Sequence, residues 1–288
     1  SLGMDISHDH RRRFFLANLS VGLGTLLCRV TGFGRVLALA YAIGLGGLSD
    51  VYNTANTTPN IIYELMLGGI LSATLLPTFV RALKDNDHQA ISAVMSVACL
   101  ALAVLTFTMI LVAPAIMDLY SLSRKDSPQE FHDVGVVLVR LFMPQIFFYG
   151  LISLATAFLN AQHKFSLPAY VPILNNLVVC GLLMMLPHLF GSTITLAEAS
   201  KNANLVFYLG VGTTLGIALS ALALVPALLK SGIALSFTPD WRHPAVRNVL
   251  RLSGWTVGYV MANQAALFLV SLIALHREGW LTAYQTEI

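Results

Sequence analysis

The chain has 288 residues, of which 56% are hydrophobic and 11% charged, with a net charge of +3. Soluble globular proteins carry about 25% charged residues, so this composition excludes an ordinary soluble domain, and without a long basic run nothing suggests a nucleic-acid partner. The apolar residues fall in long blocks rather than alternating patterns, which predicts an all-α, polytopic transmembrane helix bundle.

In chain order, residues 1–13 form a polar N-terminal tail ending in three arginines. Basic residues before an apolar segment resemble a signal peptide, but no small-residue cleavage site follows, so the segment reads as a retained helix. The first span is expected from Phe14 to Ile43 and the second, after a GLGGLSD turn, from Val51 to Leu83. A third is expected over Ile91 to Tyr120, and a fourth over Val134 to Leu159 with a kink at Pro144. The fifth covers Tyr170 to Phe190, the sixth Leu205 to Leu229 and the seventh Val249 to Leu275, and AYQTEI begins an eighth.

Loop basic residues set the orientation. Arg11–Arg13, Arg81, Lys84, Lys164, Lys230, Arg242, Arg247 and Arg251 share one side, against Arg124, Lys125, Lys201 and Arg277 on the other. That bias places the N-terminus in the cytoplasm. Cys28, Cys99 and Cys180 sit singly within apolar blocks and read as small buried hydrophobes.

Arg29, Arg35 and Arg140 remain inside spans. A charge at membrane depth costs about 2.5–3.5 kcal/mol on insertion scales. Arg29 and Arg35 are separated by about 120° around a helix, so they share no narrow stripe but could face one wide polar cavity. Snorkelling or pairing with an acid is the plainer alternative, which the depth of Arg29 makes difficult. Arg140 has no pattern to support a cavity position.

In the second span, Asn53, Asn56, Asn60 and Glu64 lie within about 80° of one another, forming one polar stripe. Pro59 beside it frees a backbone carbonyl. Such a stripe can glue a neighbouring helix or line a cavity. Four aligned groups including an acid exceed what glue requires and favour the cavity. Asp50 follows the glycine-rich turn in the position of a helix N-cap, and gating by an Asp–Arg pair is a second role open to it.

The motifs of hydrolases, metalloproteases, P-loop proteins and dinucleotide enzymes are missing, so no enzyme is predicted, and no cofactor. Coupling to the membrane potential or to an ion stays open. Arginines in a cavity suit a ligand with phosphate or carboxylate groups.

RVTGFGR in the first span, SDVYNTANTTPN and ELMLGGILSATLLPTFVRAL in the second, and RLSGWTVGYVMANQ further on resemble the MurJ (MviN) family of lipid II flippases. This family lies within the multidrug/oligosaccharidyl-lipid/polysaccharide exporter superfamily. The resemblance implies a multi-pass protein of the bacterial cytoplasmic membrane that moves the undecaprenyl-diphosphate-linked peptidoglycan precursor by alternating access. It also implies that Arg29 and Arg35 hold the diphosphate, that Asp50 takes part in gating and that Asn60 is the Asn of a Pro-Asn motif. Asn53, Asn56 and Glu64 join the expected substrate cavity. Val36 stands where an acid often follows, and Tyr63 and Glu64 stand where many members have a basic pair, a Tyr-Glu that resembles the actinobacterial branch.

Members have about fourteen spans in two lobes. The expected organisation is therefore a tail over 1–13, a six-helix lobe over 14–230, a cytoplasmic linker over 231–248, and the first helix of a second lobe within 249–288. Lipid II and membrane lipids are the expected partners, with other cell-wall synthesis proteins as further candidates. The alternatives are export of another lipid-linked oligosaccharide or drug, or a non-transporting scaffold of cell-wall synthesis.

Overall fold

A computed structural model of the chain describes residues 2–124, 128–192 and 194–276. The expected start of an eighth span, and Lys125 and Arg277 of the charge bias, lie outside them. Among the described residues the regular structure is entirely helical. Within those residues five segments are long and apolar enough to cross a membrane: Phe14–Ile43, His88–Leu111, Gln129–Ala161, Ser166–Phe190 and Ala203–Leu229.

The first helix, α1 (Leu2–Ile43), takes in most of the polar tail. The second expected span is an interrupted helix: α2 (Gly47–Tyr63), a π-helical stretch Glu64–Gly68, then α3 (Gly69–Lys84). The third is α4 (His88–Leu111) followed by α5 (Ala113–Ser123), which restart at Val112 just before Pro114. A proline lacks the N–H and clashes with the preceding turn, so a new helix begins there with Pro114 in its first turn. The fourth is α6 (Gln129–Phe142) and α7 (Pro144–Ala161), joined at Met143 directly before Pro144, where the sequence predicts the kink. Then follow α8 (Ser166–Phe190), the short α9 (Leu196–Lys201), α10 (Ala203–Leu229) and α11 (Pro244–His276).

The pair α6–α7 is the axle of the bundle. Leu138, Phe142, Met143, Ile146 and Phe158 are fully buried, and the pair packs against α2, α3, α4 and α10. Glycines set the closeness of two of these contacts. A Cβ on Gly150 would stand 2.3 Å from Leu102 of α4, and one on Gly210 of α10 would stand 2.4 Å from Leu141. Helices in lipid gain little from hydrophobic association, so small residues that permit close approach stabilise their packing.

By contrast, α1 reaches the bundle almost only through α8. Tyr170 Oη donates to the Ser20 carbonyl at 3.0 Å, and Asn176 Nδ2 donates to Thr31 Oγ1 at 3.1 Å and to the Cys28 carbonyl at 3.3 Å. The three cysteines are free and half-buried.

Between α10 and α11 the chain runs without regular structure and is strapped to α4. Buried Ser92 and Ser96, one turn apart, take the place of a backbone partner: Ser92 Oγ accepts from Ser236 N at 3.2 Å and Ser96 Oγ from Thr238 N at 3.0 Å. Ser96 Oγ also donates towards the Ser236 carbonyl at 3.3 Å. Gln162 Nε2 holds the start of this connection through the Ser231 carbonyl at 3.1 Å.

Replacing both Ser92 and Ser96 with Ala strands two amides of the connection, at about 1–3 kcal/mol for each one left without water. The doubly substituted protein should be cleaved faster by added protease within 231–243 and melt at a lower temperature in detergent, while retaining its helicity by circular dichroism.

Candidate functional site

The site is built from the divergence of α1 and α2. They share the turn Gly44–Gly46, where Gly44 has φ +71°. Beyond it α1 follows α8, whereas α2 lies on α6 and α7, and the two touch little. The two helices therefore diverge from their shared turn, and the space between them is the candidate cleft.

Arg29 is exposed and Arg35 half-buried on α1. Arg35 lies within electrostatic reach of Tyr149 on α7 and Cys180 on α8. Among the described residues neither arginine forms an ion pair.

The stripe on α2 divides. Asn56 Oδ1 accepts from Nε2 of Gln145, a residue only 2% exposed, at 3.2 Å. Tyr149 Oη in turn donates to Gln145 Oε1 at 3.4 Å. The Tyr149 ring lies 5.9 Å from that of Tyr63, whose hydroxyl hydrogen-bonds to Ser153 Oγ. Asn56 thus belongs to an interhelical polar ladder and serves as glue. Asn53, Asn60 and Glu64 are exposed, with Asn53 Nδ2 turned 3.4 Å towards Ser49 Oγ. Glu64 opens the π-helical stretch directly after Tyr63.

The ladder residues Gln145, Tyr149, Tyr63 and Ser153 do not stand out as a set in the sequence. Gln145 and Tyr149 are four apart on α7 and so share a face, but that signal acquires meaning only once α2 is known to pack there. Arg140 is exposed on α6, on the same side as Asp133 and Val137. The sequence supplies no reason for its position, and the structure joins it to no ion-pair partner among the described residues.

Asp50 corrects an expectation. The N-cap of α2 is Gly46, with φ −96° and ψ −161° and no side-chain cap bond, and Asp50 lies within the first turn. A glycine tolerates the cap position without a side chain, so the helix starts earlier than the aspartate suggests. There Asp50 complements the positive end of the helix and stands 3.9 Å from Arg124 Nη1, beyond the end of α5. The Arg124 guanidinium also lies 4.9 Å above the Phe131 ring. This contact ties α2 to the α5–α6 connection.

An all-helical bundle with several segments long and apolar enough to cross a membrane defines a multi-pass membrane protein. Residues 39–285 match the family model described as "Lipid II flippase MurJ", and the chain belongs to that family. Over 245 residues it is 30% identical to the lipid II flippase MurJ of Burkholderia cenocepacia, covering 82% of this chain and 45% of that protein. It is 24% identical over 260 residues to a probable lipid II flippase MurJ of Haemophilus influenzae, covering 87% and 49%. The corresponding protein of Vibrio cholerae is 24% identical over 275 residues, covering 91% and 50%. The chain spans about half the length of the curated relatives it matches.

Two interactions with different burial should respond differently to substitution. A double-mutant cycle of Asn56→Ala and Gln145→Ala should give a coupling energy of about 0.5–1.5 kcal/mol, the range of hydrogen bonds between membrane helices. The half-exposed Asp50–Arg124 pair should yield less than about 1 kcal/mol in the same thermal-unfolding assay, and less again at high salt.

Proposed function

We propose that this chain forms the first lobe, and the first helix of the second, of a flippase that carries lipid II across the bacterial cytoplasmic membrane. The observation that carries this reading is the pair of arginines, Arg29 and Arg35, on a helix that stands away from its successor. In this reading α2–α3 and α11 complete the spans to seven, the N-terminus is cytoplasmic, and 14–230, 231–248 and 249–288 are lobe, linker and start of the second lobe.

A diphosphate spreads its charge over several oxygens, and two guanidinium forks can each bind it through paired N–H···O contacts. Lysine offers a point charge without that geometry. Arg29 and Arg35, about 120° apart around α1, would meet the diphosphate from two directions. Asn53 and Asn60 offer amide donors and acceptors to the sugars. Tyr63 and Glu64 replace a basic pair with an aromatic ring and an acid, which lowers the positive charge on the α2 wall and concentrates anion binding on α1.

Asp50 and Arg124 serve as a latch in this scheme. Their contact holds the end of the cleft at the α1–α2 turn shut, and its release would open that end as the lobes rock against each other. The free energy for net transport comes from the membrane potential or a coupled ion.

The full-length protein should be expressed in cells depleted of their own flippase, and lipid II reaching the outer leaflet measured. Arg29→Ala or Arg35→Ala should reduce that amount at least about tenfold, the effect of removing one charge-assisted hydrogen bond. The lysine variants should retain part of it. Unchanged lipid II at the outer leaflet with correctly folded alanine variants would refute diphosphate binding and favour a scaffold. Transport of a glycan lipid lacking the diphosphate at equal rate would favour a different exporter.

A further inference from the structure

The groove in which α11 lies against α3 and α4 contains two cavities that succeed one another along its length. The first, of about 340 Å³, is lined by Arg81, Asp85, Asp87, His243 and Asn248. The second, of about 140 Å³, is lined by Leu75, Val97, Leu102, Val249 and Leu250. Along α3, Arg81 and Thr78 give way to Leu75, and along α4, Ala90 gives way to Val94 and Val97. At the start of α11 the two linings interleave, Ala245 and Asn248 on the charged cavity and Val246 and Val249 on the apolar one, and further along Leu250 and Ser253 line the apolar cavity. The lining thus changes from charged to apolar within one to two helical turns, ~5–10 Å. It does so where α3 ends and α4 and α11 begin, with the half-exposed Trp241 of the preceding connection lining the apolar cavity.

The charged cavity holds both signs without joining them. Arg81 and Asp85 are exposed and one turn apart, and among the described residues neither enters an ion pair. Asp87 Oδ1 accepts from Ala90 N at 3.0 Å and caps α4, which leaves its second oxygen uncommitted. His243 Nδ1 accepts from Ala245 N at 3.1 Å, leaving Nε2. A guanidinium and carboxylates held apart in one cavity complement a ligand that itself carries both charges. The apolar cavity beneath it accepts a hydrocarbon chain.

We propose that this groove binds a zwitterionic glycerophospholipid with a primary-amine headgroup. Its phosphate lies on Arg81, its ammonium on Asp85 and Asp87, and one acyl chain enters the slot between α4 and α11. A choline headgroup carries the same charges but no N–H to donate to the carboxylates, and a glycerol headgroup has no cation. The site is separate from the α1–α2 cleft and does not depend on what that cleft transports.

The test is native mass spectrometry of the chain purified in detergent and mixed with phosphatidylethanolamine, phosphatidylcholine and phosphatidylglycerol of identical acyl chains. Phosphatidylethanolamine should be retained about tenfold over the others, the effect of one charge-assisted hydrogen bond. Arg81→Ala should remove most of that retention. Asp85→Asn should bring phosphatidylethanolamine down to the level of phosphatidylcholine. Leu250→Trp, which fills the slot, should weaken all three, and Lys230→Ala should change nothing. Both charged positions are exposed, and only variants with unchanged helicity are compared. Equal retention of the three lipids, greater retention of phosphatidylglycerol, or full retention of phosphatidylethanolamine in both Arg81→Ala and Asp85→Asn would overturn the proposal.

Discussion

Close approach of helices to the α6–α7 axle is the constraint from which the remainder of the bundle follows. Gly150 lies beneath Leu102 and Gly210 against Leu141, at distances that admit no Cβ. In lipid the apolar surfaces of helices have no water to escape, so contact area and interhelical hydrogen bonds stabilise the assembly. With α2, α3, α4 and α10 held to one axle, α1 packs almost only on α8 and stands away from α2.

Polar side chains in the bundle are divided by what surrounds them. Where two helices meet tightly, amides and hydroxyls pair across the contact, as in Asn56 with Gln145, Tyr52 with Thr213 at 2.7 Å, and Asn176 with Thr31. Where helices stand apart, Arg29, Asn60 and Glu64 stay exposed. An unpaired polar group facing hydrocarbon is costly, a cost that the paired set avoids. The same division separates Ser92 and Ser96, engaged by the strap, from Arg81 and Asp85 beside it, which are not.

Much of this arrangement is legible in the sequence because it is local. Apolar blocks with polar breaks mark most of the helices, Pro144 marks the break in the fourth, and the 3.6-residue period places Asn53, Asn56, Asn60 and Glu64 on one face. The restart before Pro114 uses the same chemistry but stays hidden because the apolar run continues through it. The division of the stripe is not legible: Asn56 is glue because Gln145, 89 positions away, packs against it. Asp50 misleads for a local reason, since a glycine can begin a helix without any side-chain cap. The strap is hidden because serines within an apolar run read as small packing residues until the connecting segment is seen to lie on them.

The π-helical stretch Glu64–Gly68 carries one more residue than an α-helical path of the same hydrogen-bonded turns would need. Each residue of an α-helix turns the chain by about 100°, so the insertion rotates everything after it relative to everything before. Counted past that surplus residue, Leu75 and Phe79 of α3 fall on the same side of the helix as Asn56 and Asn60 of α2. Leu75 and Phe79 are buried there, with Phe79 edge-on to Phe158 of α7 at 5.9 Å. One surplus residue thus lets one side of the helix meet α7 twice, through Asn56 with Gln145 before the shift and Phe79 with Phe158 after it. The helix acts as a phase shifter, aligning two patterns that a regular helix would leave about 100° apart.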